Sequence, residues 1–487
     1  MFLLGLYRIK HMPSRRLFGG AVMGLLGSGC ALQAPYQAPT VPPAAAAPFL
    51  SARQAPVSPQ PLPDDWWRLY RDPTLDSLIA QALRQNRELA VAAAHVAQAH
   101  AIFDEAGATE LPQTQLALAG NYGKQNPDQI VASARHTTAD TRWAYAPSLT
   151  VSYEADVWGR VRQLVAAAQA DADATQAAAD AVRVVVVAST TDAYTRACSY
   201  GAQIDVAQQA LAVAGRVAGL TDRQRDLGLV SDLEAVRARD LLDQTRATLP
   251  VLQGQRRAAL LELAALSGQT PDAIPAAATQ CQVVPVLAQA FPVGDGAAML
   301  RRRPDLRAAE RRLAAADATV GVALADLYPS ITLGASVALL STSGSVASLG
   351  DQHALTWGVG PLISWNFPNL RGGRARVAQA RAANTAARAQ FDSDVLNALK
   401  ESEQALTYYG AQWQRRQALQ QARVNDARAV HLAELNYRAG ALSELEVLDA
   451  ERRLVDADAA LAVSAGTLVA GQIAVFQALG GGWRQVR

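Results

Sequence analysis

Leu83-Arg-Gln-Asn-Arg-Glu-Leu89 falls on Leu300-Arg-Arg-Arg-Pro-Asp-Leu306 when the chain is slid over itself by about 217 positions. The match runs on without a gap through Val96 and Leu313 to Pro112 and Pro329. A second match, displaced by about 212, sets Asp226-Leu-Gly228-Leu-Val-Ser231-Asp-Leu-Glu234 on Arg438-Ala-Gly440-Ala-Leu-Ser443-Glu-Leu-Glu446. Between them, Ser152-Tyr-Glu-Ala-Asp-Val-Trp-Gly-Arg160 answers Ser364-Trp-Asn-Phe-Pro-Asn-Leu-Arg-Gly-Gly-Arg374 with two extra residues. A long unit repeated once points to a pseudo-symmetric scaffold rather than a fold built around one catalytic cleft. The first repeat is expected over 63–280 and the second over 281–487.

Each repeat carries a long proline-free stretch. No proline occurs between Pro147 and Pro250, and none after Pro368. Both stretches are rich in Ala, Arg, Gln and Leu, which are good helix formers. A helix from Arg162 to Leu227 extends roughly 100 Å at 1.5 Å per residue, and Arg376–Ala439 gives its duplicate. Each is followed by a Gly-containing turn, near 228 and 440, and by another helical run, Asp232–Leu266 or Glu444–Leu479. Helices of this length need similar neighbours to pack against, so antiparallel coiled-coil hairpins are expected. Ala dominates the 50% apolar content, which suits narrow helix–helix seams better than a wide globular core.

Four segments have period two instead. In 143–157 the odd positions Trp143, Tyr145, Leu149, Val151 and Tyr153 are apolar against small or polar even ones. In 331–340, Ile331, Leu333, Ala335, Val337 and Leu339 share a face. In 354–366 the face is Leu355, Trp357, Val359, Pro361, Ile363 and Trp365. The weaker fourth, 113–121, has Leu116 and Leu118. One greasy and one small-polar face describe a strand between lipid and water. Trp143, Trp357 and Trp365 suit the interfacial aromatic girdle. A soluble sandwich shows the same alternation, so pattern alone leaves both readings open. Four strands cannot sit in lipid as an open sheet, because edge amides go unsatisfied, and bacterial barrels need at least about eight. The membrane reading therefore requires a cyclic assembly of identical chains.

At the N-terminus, Arg8, Lys10, Arg15 and Arg16 precede an apolar stretch from Leu17 to Leu26 and then Gly27-Ser-Gly-Cys30. This is a secretory signal, expected over 1–29, with translation starting at Met1 or Met12. The run is too short for a transmembrane helix. It resembles a bacterial lipobox with Cys30 as the lipidated residue, although Leu26 stands four places before the cysteine where three is usual. Residues 30–62, crowded with Pro and Ala, read as a lipid-anchored extended tether. Cys198 and Cys281 are, in an oxidising compartment, either bridged or two buried thiols.

No catalytic constellation appears. His95 and His100 lie five apart, off a single helical face. The sequence has no His-Glu-x-x-His, no paired-Cys motif, no Walker loop and no nucleophile elbow. Gly358-Val-Gly360 sits inside a strand pattern, so it is no dinucleotide loop. Arg301-Arg-Arg303 reads as a solvated helix start. Neither a metal nor a cofactor is expected, and four methionines offer no path for soft ions. A net charge of +2 argues against a nucleic-acid footprint. The chain reads as a non-enzyme whose transport energy comes from a partner.

Taken in order, these residues resemble the TolC-type outer-membrane factor family, more narrowly its OprM-like efflux lipoprotein branch. The carriers are Cys30 with Pro35-Tyr-Gln-Ala-Pro39, Asp65-Trp-Trp67, Tyr153-Glu-Ala-Asp-Val-Trp-Gly-Arg160, Arg301-Arg-Arg-Pro-Asp-Leu-Arg307 and Tyr328-Pro-Ser330. The resemblance spans about the whole mature chain. It implies a mainly α protein, a homotrimer whose duplicated helical hairpins form an α-barrel in the periplasm. Four strands per chain then contribute to a 12-stranded outer-membrane β-barrel. It further implies the exit duct of a tripartite efflux pump, with a periplasmic adaptor and an inner-membrane transporter as partners.

The resemblance also assigns Gly228-Leu229-Val230-Ser231 and Gly440-Ala441-Leu442-Ser443 to the periplasmic tip that meets the adaptor. Independently, Gly permits a positive-φ turn and Ser caps the next helix. Glu446 and Asp449 fall on the acidic pair that rings the family's periplasmic constriction, where three copies favour cations. Glu234 and Tyr437 fall where an acid and an aromatic hold the closed state, and Leu442 stands where the family has an Arg. The implied cargo is drugs or small toxic molecules. Protein cargo, as in type I secretion, is the alternative, and a coiled-coil scaffold that spans no membrane is a reading of another class.

Overall fold

The computed structural model describes residues 34–40, 43–124, 126–274, 276–287, 290–341 and 344–483. The signal segment and Cys30 lie outside the described residues. The chain divides into two compact units: residues 1–37, 100–171 and 313–387, and residues 38–99, 172–312 and 388–487.

The main helices are α1 (Pro73–Gln85), α2 (Arg87–Ala108), α3 (Asn126–Ala134), α4 (Arg160–Asp226), α5 (Asp232–Leu266), α6 (Ala276–Thr279), α7 (Gly296–Arg302), α8 (Pro304–Ala325), α9 (Arg371–Arg438) and α10 (Glu444–Ala478). Helices α4 and α9 hold 67 and 68 residues, and α5 and α10 hold 35 each. The helical content follows the Ala-rich composition, and the equal lengths follow the duplication. Helix α5 continues through Pro250, so a single missing amide does not end it.

The strands are β1 (Val57–Ser58), β2 (Gln113–Ala117), β3 (Gly120–Gly123), β4 (Arg142–Tyr145), β5 (Ser148–Glu154), β6 (Phe291–Pro292), β7 (Ser330–Leu339) and β8 (Leu355–Ser364). In the first unit β2, β5, β7 and β8 form an antiparallel sheet in that order. The register places Ile331 opposite Ile363, Leu333 opposite Pro361, Ala335 opposite Val359 and Val337 opposite Trp357. On the other side of β7, Tyr153, Val151 and Leu149 oppose Leu333, Ala335 and Val337. Every odd-numbered apolar set therefore joins one continuous exposed face, because paired residues share a side of the pleat.

The first two strands are each interrupted. Pro147 cannot donate to a ladder, so 142–154 splits into β4 and β5, and β3 pairs with β4 as a separate hairpin. The Ala146 amide donates to the Ala119 carbonyl at 2.8 Å, which carries the pairing across the break. Below the sheet, Val320 and Ala323 of α8 pack on Val377 and Ala380 of α9. Ala314 and Ala315 pack on Ala170 of α4. Small side chains dominate these seams, with Leu324 and Leu327 packed against the first and Tyr36 against the second.

The second unit holds the bulky core. Trp66 stacks on Phe476 with ring centroids 4.4 Å apart, and Phe291 lies 4.8 Å from Phe476 and 5.1 Å from Tyr409. Helix α10 is long and apolar enough to cross a membrane by length and composition alone. Its apolar side is instead used inside the protein: Leu468, Val469, Ile473, Val475 and Phe476 are buried.

Two sequence expectations change here. The 30–62 segment is docked rather than free over 43–62. The Glu403 carboxylate accepts from the Leu50 and Ser51 amides at 2.8 and 2.9 Å, and β1 pairs in parallel with β6. Phe49 and Leu62 are buried, and anchoring those two side chains holds the intervening prolines in place. Nor is Arg301-Arg302-Arg303 a solvated helix start: the three close α7, and while Arg301 is exposed, Arg302 and Arg303 are not. Arg302 donates to the Leu62 carbonyl, to Asp64 Oδ1 at 2.8 Å and to the Gly480 carbonyl at 3.2 Å. Arg303 reaches the Ala478 carbonyl at 3.0 Å and Glu401 at 2.9 Å. Burial lowers the Arg302 pKa, yet a guanidinium stays charged. It satisfies carbonyls from both ends of the chain at once.

Candidate functional site: the two helical turns and the strand-to-helix joint

The turns that end α4 and α9 are built alike. Gly228 and Gly440 have φ of 72° and 75°. A Cβ at either would meet no atom within 4 Å, so backbone conformation rather than crowding demands glycine. The Gly228 and Leu229 amides donate to the carbonyls of Arg225 and Gln224, each at 2.8 Å. The Gly440 and Ala441 amides donate to Tyr437 and Asn436 at 2.9 and 2.8 Å. These are Schellman-type closures that use up carbonyls left over at the helix end.

The next helix then opens on a capping box in both repeats. The Ser231 amide donates to Glu234 Oε2 at 3.1 Å while Ser231 Oγ accepts from the Glu234 amide at 3.4 Å. The Ser443 amide and hydroxyl donate to Glu446 Oε2 at 2.8 and 2.9 Å, and its Oγ accepts from the Glu446 amide. These hydrogen bonds from Ser443 hold the Glu446 carboxyl below the ordinary glutamate value. Leu229 at the first turn is largely exposed, Tyr437 beside the second is half-exposed, Ser443 is exposed, and Val230 and Leu442 are half-buried.

The residues assigned to a gate thus have local work as well. Glu234 and Glu446 are capping-box acids. Asp449 accepts from Arg452 and Arg453 at 3.0 and 3.1 Å on its own helix. The Ser-x-x-Glu signature of both caps stands in the sequence, but reading it needed the helix start fixed to the residue. The two turns differ in charge. Arg239 crosses from α5 to Asp222 of α4 at 2.6 Å. The equivalent place on α10 holds Glu451, which pairs with Arg216 of α4 and so ties the two hairpins together.

Sequence reasoning missed a second constellation, at the joint between strands and long helices. Trp158 Nε1 donates to the Pro329 carbonyl at 2.8 Å and its ring stacks on Tyr328 at 4.8 Å. Glu154 receives a bidentate contact from Arg160 at 2.7 and 2.6 Å. Asp156 accepts from the Val161 and Arg162 amides at 2.9 and 3.0 Å, which caps α4. In the second repeat Trp365 Nε1 donates to the Leu327 carbonyl at 3.1 Å. The Tyr153–Arg160 motif therefore fixes how a strand becomes a helix. Finally, Cys198 of α4 is disulfide-bonded to Cys281, with Cα atoms 4.8 Å apart. The Arg256 guanidinium donates to the Cys281 and Thr279 carbonyls at 2.9 and 2.7 Å.

Comparison with known proteins agrees with this architecture. The model of the outer membrane efflux protein family matches residues 78–269 and 297–481, one segment for each repeat. The pyoverdine export outer membrane protein OpmQ of Pseudomonas putida is 33% identical over 439 residues, covering 87% of this chain and 90% of that protein. The cation efflux system protein CusC of Escherichia coli is 27% identical, covering 86% and 88%. Among solved structures, the outer-membrane channel OprN superposes with a TM-score of 0.83 at 33% identity, covering 93% of this chain and all of that one. VceC of Vibrio cholerae does so at 0.76 and 26%, covering 87% and all of that chain. With both repeats matched along nearly their whole length, the chain belongs to the outer membrane efflux protein family.

Proposed function

We propose that this protein is the passive outer-membrane exit duct of a tripartite efflux system. It works as a homotrimer whose three four-stranded sheets close one barrel. The observation that carries this reading is the sheet itself. It has a continuous apolar face and two unpaired edges, β2 and β8, an arrangement lipid tolerates only when the edges are closed by other strands. The duplicated turns, each presenting a rigid glycine bend and a capped helix start, are the surfaces offered to a periplasmic adaptor, behind which an inner-membrane transporter supplies energy. Cys30 carries the lipid anchor.

Small molecules are the proposed cargo. OpmQ is named for pyoverdine export and CusC for cation efflux, and both names denote small cargo rather than secreted protein. Glu446 and Asp449, within two turns of the tip, supply the acidic constriction, with Glu234 and Tyr437 beside them in the gate. The experiment is reconstitution of the full-length protein in planar bilayers. Discrete cation-preferring pores are expected. Replacing Glu446 and Asp449 together by Ala should raise single-channel conductance or weaken cation preference. A protein that forms no pores and leaves membranes without detergent defeats the channel reading. Unchanged conductance and selectivity in the double variant defeat only the constriction.

A further inference from the structure

The two repeats treat one place in their hairpins in opposite ways. The displacement of 212 carries α4 onto α9 and α5 onto α10. Burial confirms the register: Thr190, Tyr194 and Ala197 are buried on α4, and so are their equivalents Ser402, Leu406 and Tyr409 on α9. In the first repeat Arg196 fills the contact between the helices. It meets Asp192 of its own helix at 2.7 Å and Glu262 of α5 at 2.6 Å. The equivalents of Asp192, Arg196 and Glu262 are Gln404, Tyr408 and Ala474. All three charges are gone, and the α10 side chain is cut back to a methyl group.

What remains is a groove of about 870 Å³ in the second unit, walled by α4, α9 and α10. That volume falls within the range of small-molecule sites, and most of the lining is apolar. Ala470 and Ala474 are exposed on its floor, Tyr408 is 70% exposed beside them, and Val185 faces it from α4. At one end Thr467 donates to Gln412 Oε1 at 3.3 Å. At the other, Arg303 is shared between Asp305 and Glu401 at 2.6 and 2.9 Å, which sets two carboxylates against one guanidinium. From Glu401 to Gln412 is about 16 Å along α9 at 1.5 Å per residue.

The groove is turned away from the bulky core. On α10, Gln472 and Phe476 meet Tyr70 and Trp66, and Ala474 stands about half a turn from both. On α9, Glu403 holds the N-terminal segment, well round the helix from Tyr408. That segment leads from the lipid anchor and so runs along the outside of the tube. In the duct the groove therefore opens on the bore.

We propose that this groove is a weak binding site on the inner wall for planar aromatic cations on their way out. It rests on the exit-duct reading above and names a cargo class for it. The apolar body of the solute lies between Ala474 and Val185, its flat face meets the Tyr408 ring, and its charge is drawn to the Asp305 and Glu401 end. Release stays fast, because a conducting wall must let go of what it holds.

The test uses the full-length protein held in an amphipathic polymer, free of micelles, titrated with ethidium and followed by fluorescence anisotropy. Saturable binding is expected. Ala474→Trp, at an exposed position, should abolish it by filling the floor. Tyr408→Ala should weaken it about 2–5-fold, and Tyr408→Phe should retain it. Glu446→Ala with Asp449→Ala should bind as the wild type does, which separates the groove from the tip. Anilinonaphthalene sulfonate, flat but anionic, should not displace ethidium. No saturable binding, or equal binding by wild type and Ala474→Trp, overturns the groove. Displacement by the sulfonate overturns its preference for cations. Binding needs no membrane, so these failures leave the pore measurement and the duct reading standing. Protein that binds ethidium in the groove yet forms no pores defeats the duct reading and the groove's place in it.

Discussion

At the residue scale, positions with strict backbone demands carry the turns. Gly440 sits at φ 75°, where an L side chain costs about 1–2 kcal/mol. Gly440→Val should loosen the second turn by about that amount, seen as faster amide exchange over the start of α10, with α4 and α5 unaffected. Glu446 gives a pH prediction with a definite sign. Its carboxyl is held below the ordinary value by hydrogen bonds from Ser443. The folded pKa is therefore the lower one, and the cap's contribution is fully present above the ordinary glutamate pKa of about 4.3. It is lost as pH falls through that value to the depressed one. Exchange protection at residues 443–447 should drop between pH 6 and pH 3.5, and Glu446→Gln should flatten the profile. An unchanged profile in wild type would count against the capping box in solution.

At the element scale, the sheet and its joint to the helices make separable claims. Val359 and Ser336 lie on adjacent strands but on opposite faces, since Val359 pairs with Ala335 and Ser336 with Gly358. Val359→Arg should cost about 2–4 kcal/mol of membrane insertion stability if it faces the bilayer midplane, while Ser336→Arg should insert normally and change conductance. Equal effects of the two would contradict the assignment of faces. At the joint, Trp158→Ala removes one hydrogen bond and one stacked ring pair. Together these contribute about 2 kcal/mol, measured as a lower temperature of heat-induced dissociation. The disulfide binds α4 to the segment between repeats across 83 residues. Cys198→Ala with Cys281→Ala should cost about 2–4 kcal/mol by freeing the unfolded chain, read in the same melt.

At the scale of the whole molecule, duplication explains most of what was legible and much of what was not. Two long helical hairpins, four strands and both glycine turns follow from local periodicity and from the repeat, because these depend on residues near one another in sequence, whereas the continuity of the apolar face needed the pairing of β5 with β7, which brings Leu149 opposite Val337. Strand ends shifted where Pro147 removed a ladder amide, an effect local enough to have been read. The roles of Arg302 and Arg303 were hidden, because their partners at Leu62, Asp64, Glu401 and Ala478–Gly480 are distant in the chain and no periodicity announces them. The docked 43–62 segment was hidden for the same reason.

What the sequence by itself determined is the class of element at each position and the existence of two equivalent halves, since helix propensity, strand alternation and turn chemistry act over a few residues. Tertiary structure alone decided that Cys198 and Cys281 are bonded, that Trp66 rests on Phe476, and that α8 packs on α4 and α9. Those outcomes depend on which distant surfaces meet, and pairwise burial over such separations is set by the folded backbone rather than by any local pattern.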